Sequence, residues 1–352
     1  MNNKIPIQNL WFLVLYSSEY VHNNMTGLFK VDSSSGLEQL LAKVFLTNIK
    51  DYISQHLRKQ SRAKENEIAV VKGKINFYQT AVRQSLSKGL IYCSYREATY
   101  NTSRHSYMLS ALNIILSFNI SKNVRMQLNS IKFELKNYGV VDELSYEISK
   151  DHFSSFEHIC RKVVELSKLI HDMKTLSTEF GDTIQPKLIL SDHKIRKIFE
   201  KGIAGFFKIN LPKEYQIKSS KGSQIDLMLT HDLVSKEYFP RMYLDMLILK
   251  GKSGLIIDTK FASIFQKNYE NKNKISSDYI RQIYTYVMSY KLTNPDKNYA
   301  GMLLYPAIDG GYKMSVNMLS IPLFFYTIDL SKKIPEIHSD LLGIIDEIFE
   351  LI

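Results

Sequence analysis

The chain has 352 residues, of which 45% are hydrophobic and 23% are charged, and its formal net charge is +11. This length allows two domains with substantial cores, and the composition is typical of a soluble globular protein. No apolar run approaches the roughly 18 residues of a membrane-spanning helix, and the N-terminus lacks the pattern of a signal peptide. We therefore expect no membrane segment and a cytoplasmic location, which two isolated cysteines, Cys93 and Cys160, also favour.

The N-terminal half predicts an α+β domain over residues 1–180. Apolar periodicity and turn residues predict, in order, a strand at 4–7; helices at 9–20 and 37–58; strands at 67–71, 74–78 and 90–95; and helices at 104–119, 122–137 and 153–173. The polar segment 177–186 is the expected linker. No catalytic constellation is evident in this half.

Two apolar strands joined by a tight turn lie between Pro240 and Lys260. Asp245 is on the first strand, and Asp258 and Lys260 close the second, whose centre at 255–257 has a buried pattern. Because side chains alternate along a strand, Asp258 and Lys260 project to the same face. Such charges are costly to bury unless they pair or hold a metal.

Two aspartates and a lysine are a minimal set for Mg²⁺-dependent phosphodiester cleavage. Mg²⁺ takes one or two carboxylates and fills its other positions with water and phosphate oxygens, so Asp245 and Asp258 are candidate ligands. Lys260 would orient or deprotonate the attacking water, or neutralise the transition state. A solvated hairpin end with an ordinary Asp–Lys pair is the alternative interpretation.

Two predicted helices, one before and one after this pair of strands in the sequence, carry further candidate site residues. The helix predicted over 195–207 carries Glu200 beside an apolar face. The helix predicted over 278–290 places Gln282 and Tyr286 at i and i+4 on one face, where an amide can bond a water or a phosphate near the metal. Taken alone, Glu200 is more often a solvated charge and Gln282 a surface residue. Residues 187–352 as a whole alternate helix and strand, which predicts an α/β domain.

The positive charge is concentrated around these candidates. Residues 187–300 hold 20 Lys and Arg against 11 Asp and Glu, a net charge of +9, compared with +6 for residues 1–186 and −4 for residues 301–352. A basic groove attracts phosphates, so nucleic acid is the expected partner. Gly251-Lys-Ser253 copies the end of a phosphate-binding loop, but Met246 stands where its first glycine belongs. We therefore predict a hairpin turn there and no nucleotide bound by this chain.

The order of these motifs resembles the core of the PD-(D/E)XK nucleases, and Gln282-x-x-x-Tyr286 is similar to a motif of their RecB-like branch. Further segments resemble McrC, the nuclease subunit of the McrBC modification-dependent restriction systems. They are Ile5–Tyr20, Lys72–Phe77, the Pro240-Arg-Met segment before Asp245, Asp258-Thr-Lys260 and Gly301–Pro306. The match is collinear over nearly the whole chain. Departures occur at Asn101–Ser106 and at Gln8, outside the nuclease motifs.

The resemblance implies an α+β N-terminal partner-docking domain (residues 1–180) followed by an α/β PD-(D/E)XK restriction-endonuclease-like domain (residues 187–352). It implies DNA cleavage in a methylcytosine-dependent restriction complex. The partner would be a McrB-like AAA+ GTPase hexamer, which binds the GTP and whose hydrolysis this chain stimulates. The metal would be Mg²⁺, with Mn²⁺ as an alternative, held by Asp245, Asp258 and the Thr259 carbonyl. Lys260, Glu200 and Gln282 would complete the catalytic set.

Two other functions remain open from the sequence. One is a non-catalytic adaptor that binds an NTPase ring and DNA and carries a decayed nuclease fold. The intact Asp258-x-Lys260 and Gln282-x-x-x-Tyr286 motifs argue against decay, because an unused site has no chemical reason to keep buried charges. The other is a free-standing RecB-like nuclease that needs no partner.

Overall fold

A computed structural model describes residues 5–18, 36–142, 145–181, 183–184, 193–219, 243–267, 272–307 and 311–352. No helix in this described part of the chain is long and apolar enough to cross a membrane. The Pro240-Arg-Met segment lies outside the described residues. The linker predicted at 177–186 is wrong at its start, because residues 177–180 continue the helix His158–Phe180; Thr183–Ile184 form a short strand, and residues 182, 185 and 186 lie outside the described part.

The described chain contains α-helices and β-strands in mixed order. They are β1 (Ile5–Pro6), α1 (Ile7–Ser17), α2 (Leu37–Asp51), β2 (Gln60–Ile68), β3 (Lys74–Ile75), α3 (Phe77–Val82), β4 (Ile91–Thr99), α4 (Ser103–Leu116), α5 (Lys122–Asn137), α6 (His158–Phe180), β5 (Thr183–Ile184), α7 (His193–Asn210), β6 (Gln216–Ser219), β7 (Met246–Lys250), β8 (Ser253–Thr259), β9 (Gln266–Lys267), β10 (Asn273–Lys274), α8 (Ser277–Thr293), β11 (Asn298–Ala307), β12 (Lys313–Met318), β13 (Ile321–Asp329) and α9 (Ile334–Leu351).

These elements form two compact units. Ser35–His171 form the central unit, and the segments on either side of it, Met1–Ser34 and Asp172–Ile352, together form the terminal unit. This division differs from the predicted boundary near residue 180, because the first helix packs on α7 in the C-terminal half of the chain.

The terminal unit is built on a six-stranded mixed sheet in the order β12-β13-β11-β8-β7-β6. Strands β8, β11 and β13 are parallel, whereas β6, β7 and β12 pair antiparallel with their neighbours. The parallel strands read as continuous buried runs, as expected for strands covered on both faces. Residues 187–352 thus combine helices with a sheet, as predicted, although helices and strands do not alternate one for one along the chain. Helix α8 covers the sheet face that carries Leu247, Ile256 and Leu303.

The tight turn predicted between the two apolar strands is confirmed. Strands β7 and β8 are antiparallel, and Lys250 pairs with Ser253 across a two-residue loop. Gly251 has φ +59° in this loop, a left-handed conformation that glycine adopts without strain. Gly251-Lys-Ser253 is therefore a hairpin turn and does not open a helix.

Helix α1 is buried on almost every side within the terminal unit. Trp11, for example, donates from Nε1 to the Met173 carbonyl at 3.1 Å. Asn9 donates from its side-chain nitrogen to the Leu330 and Lys332 carbonyls at 2.7 and 2.8 Å. Helix α1 also packs directly on α7: a Cβ at Gly202 would lie 2.7 Å from the Leu13 carbonyl oxygen. This close approach requires glycine and explains why the first helix belongs to this unit.

The central unit combines helices with a three-stranded antiparallel sheet in the order β2-β4-β3. The strand predicted over 74–78 is wrong beyond Ile75, where helix α3 begins instead. The Asn76 side chain caps that helix by accepting a hydrogen bond from Gln79 N at 3.0 Å. Strand β2 begins at Gln60, earlier than the strand predicted at 67–71. The prediction missed its start because the exposed, charged residues of β2 lack the apolar alternation by which a strand is recognised.

Arg104 on α4 ties the central unit's helices to the segment that precedes α6. Its guanidinium donates two hydrogen bonds to the Asp151 carboxylate, from Nε at 2.6 Å and from Nη2 at 2.8 Å, and one to Glu157 at 2.5 Å. Arg104 is 9% exposed, and the Phe153 ring lies 4.3 Å from its guanidinium carbon. These hydrogen bonds from Arg104 are the largest cause of a lowered pKa of Asp151.

We expect Asp151→Asn to lower the free energy of unfolding by about 2 kcal/mol near pH 7, because it weakens hydrogen bonds to a charged group. Since the pKa of Asp151 is lowered in the folded state, its stabilising effect is complete above the unfolded-state pKa, about 3.9, and is lost as the pH falls below that value. Urea unfolding followed by circular dichroism should show a constant difference from wild type down to about pH 5, and a shrinking one below about pH 4.

Glu147→Gln is the matched control. Its ion pair with Lys150 is exposed, at 63% and 76% of the two side chains, so its loss should change the unfolding free energy by less than about 0.5 kcal/mol. Equal losses for the two variants would contradict the role assigned to the Arg104 network.

Candidate active site

Asp245 and Asp258 lie opposite each other at the open end of the β7–β8 hairpin. Met246 pairs with Ile257, so the next positions outward are Asp245 and Asp258. Asp258 is 3% exposed. Asp245 Oδ2 accepts two hydrogen bonds from Thr259, one from the backbone N at 2.7 Å and one from Oγ1 at 2.8 Å. These bonds hold the Asp245 side chain across the end of β8.

Lys260 follows β8 and joins Asp258 to helix α8. Its Nζ lies 2.6 Å from Asp258 Oδ2 and donates to Gln282 Oε1 at 2.9 Å. Gln282 Nε2 in turn donates to the Tyr286 hydroxyl at 2.7 Å. The Lys260 ammonium also lies 4.7 Å from the centre of the Tyr279 ring, a cation–π contact. The ammonium is therefore held in place by a carboxylate, an amide and an aromatic ring.

Burial and the charges of Asp245 and Asp258 raise the pKa of Glu200 on α7. Burial is the largest cause of the raised pKa of Glu200, followed by the charge of Asp245 and, to a smaller extent, that of Asp258. The pKa of Asp258 is raised to about 6, first by burial and then by Asp245, and Lys260 opposes this rise. Repulsion from the neighbouring carboxylates thus disfavours the charged forms of Glu200 and Asp258, and Lys260 offsets it only in part at Asp258. A further cation would relieve this repulsion.

The donor set for such a cation is two carboxylates and a backbone carbonyl. Among the described residues, no three His, Cys, Asp or Glu side chains lie close enough together to hold a metal ion. Mg²⁺, however, commonly uses one or two carboxylates and completes its octahedron with water and substrate oxygens. Within the described part of the chain, the hydrogen bonds made by Asp245 all reach Oδ2, which leaves Oδ1 for a ligand. Asp245, Asp258 and the Thr259 carbonyl therefore fit Mg²⁺ by their chemistry.

The structure brings the residues predicted from the sequence to one end of the sheet. Asp245, Asp258 and Lys260 meet through the hairpin, Gln282 through its bond to Lys260, and Glu200 through its electrostatic coupling to the aspartates. Sequence reasoning missed the aromatic residues that surround them. Tyr279 lies three residues before Gln282, on the same face of α8. Tyr305 lies on β11, two residues beyond the partner of Asp258.

Comparisons with known proteins were made over the whole chain. A family model described as "McrBC 5-methylcytosine restriction system component" matches residues 8–306. The "Type IV methyl-directed restriction enzyme EcoKMcrBC" of Escherichia coli (strain K12) is 21% identical over 350 residues, which cover 97% of this chain and 98% of that protein.

Solved structures give two further similarities. A chain in a refined half-complex from the tetradecameric assembly of Thermococcus gammatolerans McrB AAA+ hexamers with bound McrC is 12% identical, with a TM-score of 0.42; 96% of this chain and 76% of that chain are covered. A chain in the cryo-EM structure of the Thermococcus gammatolerans McrBC complex is 13% identical, with a TM-score of 0.36; 59% of this chain and 60% of that chain are covered.

We expect Asp258→Asn to leave the chain at least as stable as wild type without divalent metal at about pH 8, because it removes a buried charge and keeps the side chain's shape. Lys260 would retain its hydrogen bond to Gln282. Mg²⁺ should raise the melting temperature of wild type by mass action and should not raise that of the variant. Thermal unfolding in EDTA and along a Mg²⁺ titration measures both effects.

Asp278→Asn is the control for this measurement. Asp278 is on the same helix as Gln282, but its side chain is 77% exposed and pairs with Arg281. It should keep the full response to Mg²⁺. A response of Asp258→Asn equal to that of wild type would show that Asp258 does not hold the metal.

Proposed function

The chain belongs to the McrBC 5-methylcytosine restriction system component family, and from that premise we propose that it is the Mg²⁺-dependent DNA endonuclease subunit of a modification-dependent restriction complex. The observation that carries the proposal is the meeting of Asp258 and Lys260 with Asp245 at the end of one hairpin, where Lys260 is bonded onward to α8. Carboxylates for a metal and a positioned cation are the groups that metal-assisted phosphodiester hydrolysis requires.

We assign the terminal unit to the PD-(D/E)XK nuclease fold. Support comes from the mixed sheet, whose inner strands β7 and β8 present Asp245 and Asp258, and from the flanking helices α7 and α8, which carry Glu200 and Gln282. Asp258 lies on β8, Glu200 and Gln282 lie on helices, and Asp245 and Lys260 lie directly next to the ends of β7 and β8, so packing of these elements holds their geometry.

In this mechanism Asp245, Asp258 and the Thr259 carbonyl would hold Mg²⁺. When bound, the metal would supply an activated water and charge stabilisation at the phosphate. Lys260 directs its ammonium toward the attacking water or the developing negative charge. Gln282 keeps Lys260 in position and is itself held by Tyr286. Glu200 accepts a proton or orients water beside the aspartates, a role that its raised pKa favours.

DNA is the substrate that the surrounding charge favours. Residues 187–300 carry 20 Lys and Arg against 11 Asp and Glu. On α7, Arg196, Lys197 and Lys201 are exposed on the helix that carries Glu200. Cations next to a carboxylate site can contact the phosphates on either side of the scissile bond, and this affinity is largely independent of base sequence. Recognition of the modified base then belongs to the partner.

We propose that the partner of this chain is a McrB-like AAA+ GTPase hexamer, on the basis of family membership and of the similarity to EcoKMcrBC. GTP is bound by that partner, since the Gly251-Lys-Ser253 segment of this chain is a hairpin turn. Docking and stimulation of GTP hydrolysis are assigned to the N-terminal half of the chain, and above all to the central unit, because the nuclease residues all lie in the terminal unit.

We expect Asp258→Asn to reduce the cleavage of methylated plasmid DNA by more than about a hundredfold. The reaction contains the proposed AAA+ GTPase partner, GTP and Mg²⁺. Residues that merely orient metal ligands already cost ten- to a hundredfold, and Asp258 is proposed as a ligand itself. Stimulation of the partner's GTP hydrolysis should be unchanged, because it depends on the other unit. Gel analysis of cleavage and phosphate release measure the two activities side by side.

The same assay separates the alternative functions. Cutting by wild type without partner or GTP would favour a free-standing nuclease. GTPase stimulation without cutting under any condition would favour a non-catalytic adaptor. Loss of GTPase stimulation in a folded Asp258→Asn protein would contradict the division of labour between the two units.

A further inference from the structure

Tyr305 on β11 has a buried hydroxyl that the site described so far does not use. Its side chain is 0% exposed, and within the described residues the hydroxyl has no hydrogen-bond partner. A buried hydroxyl without a partner lowers stability, and phenylalanine would fill the same volume without that cost. The hydroxyl therefore calls for an explanation beyond packing.

The strand register places this hydroxyl on the face of the sheet that carries the site. Strands β8 and β11 are parallel, Leu303 pairs with Asp258, and Leu304 pairs with Thr259. The Lys260 backbone N continues this ladder by donating to the Leu304 carbonyl at 2.9 Å. Because side chains alternate along a strand, Tyr305 shares its face with Leu303 and thus with Asp258 and Lys260.

The electrostatic surroundings of Tyr305 agree with this placement. Burial is the largest cause of its raised pKa, and the nearby groups of Tyr279 and Asp258 raise it further. Tyr279 is the ring beneath the Lys260 ammonium. The Tyr305 hydroxyl is thus a neutral donor near the buried carboxylate and near the residue that supports Lys260.

We propose that Tyr305 is a positioning residue of the nuclease site, whose hydroxyl donates a hydrogen bond to a water held by the Asp258 carboxylate; in the structure neither the Tyr305 hydroxyl nor Asp258 Oδ2 has a well-formed hydrogen bond to another described residue. This inference rests on the proposed function. It gives Asp258 the kind of support that Gln282 receives from Tyr286. Groups that orient a metal ligand in this way commonly control both metal affinity and rate.

Tyr305→Phe tests the proposal, with Tyr16→Phe as its matched control. Tyr16 is also fully buried; its hydroxyl lies near Asn210 but makes no well-formed hydrogen bond, and it packs between Phe12 and Phe206. Both variants remove one buried hydroxyl and keep the ring. Three quantities are measured for each full-length variant: the Mg²⁺ concentration at half-maximal thermal shift, the rate of plasmid cleavage with the GTPase partner, and stimulation of GTP hydrolysis.

For Tyr305→Phe we expect an unchanged or higher melting temperature without metal, because the hydroxyl is buried and has no hydrogen bond to a described protein group that the variant would lose. The half-maximal Mg²⁺ concentration should rise and the cleavage rate should fall, each by about tenfold. Stimulation of GTP hydrolysis should stay at the wild-type level. Tyr16→Phe should match wild type in all three activity and metal measurements.

Two results would overturn the proposal while leaving the proposed function intact. One is a Tyr305→Phe protein with wild-type Mg²⁺ response and cleavage rate. The other is a Tyr16→Phe protein that loses metal response and cleavage to the same degree, which would show a general effect of core hydroxyls. If wild type itself neither cuts DNA nor responds to Mg²⁺, the proposed function fails, and the role of Tyr305 fails with it.

Discussion

Asp258 places a carboxylate at the end of a central, fully covered strand, where the charged form has lost most of its hydration. Burial raises its pKa to about 6, and the nearby Asp245 adds to the rise. The compensating contact is the 2.6 Å ion pair with Lys260, whose ammonium is itself held by Gln282 and Tyr279. Three side chains, those of Lys260, Gln282 and Tyr279, are therefore ordered around one unfavourable charge. They lie at the end of the sheet where β8 stops.

Helix α7 carries the remaining acidic residue, and its position depends on the first helix of the chain. The absence of a side chain at Gly202 lets α7 approach the backbone of Leu13 on α1. Asn9 fixes α1 in turn to the carbonyls of Leu330 and Lys332, which follow the last strand. The placement of Glu200 near the aspartates is thus coupled to a segment far away in sequence, and the central unit is inserted between two parts of one core.

Part of the proposed site could be predicted from short-range rules. Alternation along a strand placed Asp258 and Lys260 on one face, and the i, i+4 spacing placed Gln282 beside Tyr286. The boundary between the units depends on long-range packing of α1, which a polar linker near residue 180 does not reveal. Tyr305 was also beyond reach, because its nearness to Asp258 follows from the register of β11 against β8, and strand register across a helical connection cannot be read from either strand alone.

The ion pair between Asp258 and Lys260 has a further consequence for the proposed chemistry. In the structure, the Lys260 ammonium balances the charge of Asp258. If Asp245 and Asp258 held a divalent cation, as proposed, the charge of Asp258 would no longer depend on Lys260 for its balance. The lysine would still be held by the Gln282 amide and the Tyr279 ring, contacts that do not neutralise it. Its full positive charge can then act on the phosphate, where charge develops in the transition state. The amide and the ring thus explain how a single lysine can balance Asp258 and still be in place for the proposed reaction.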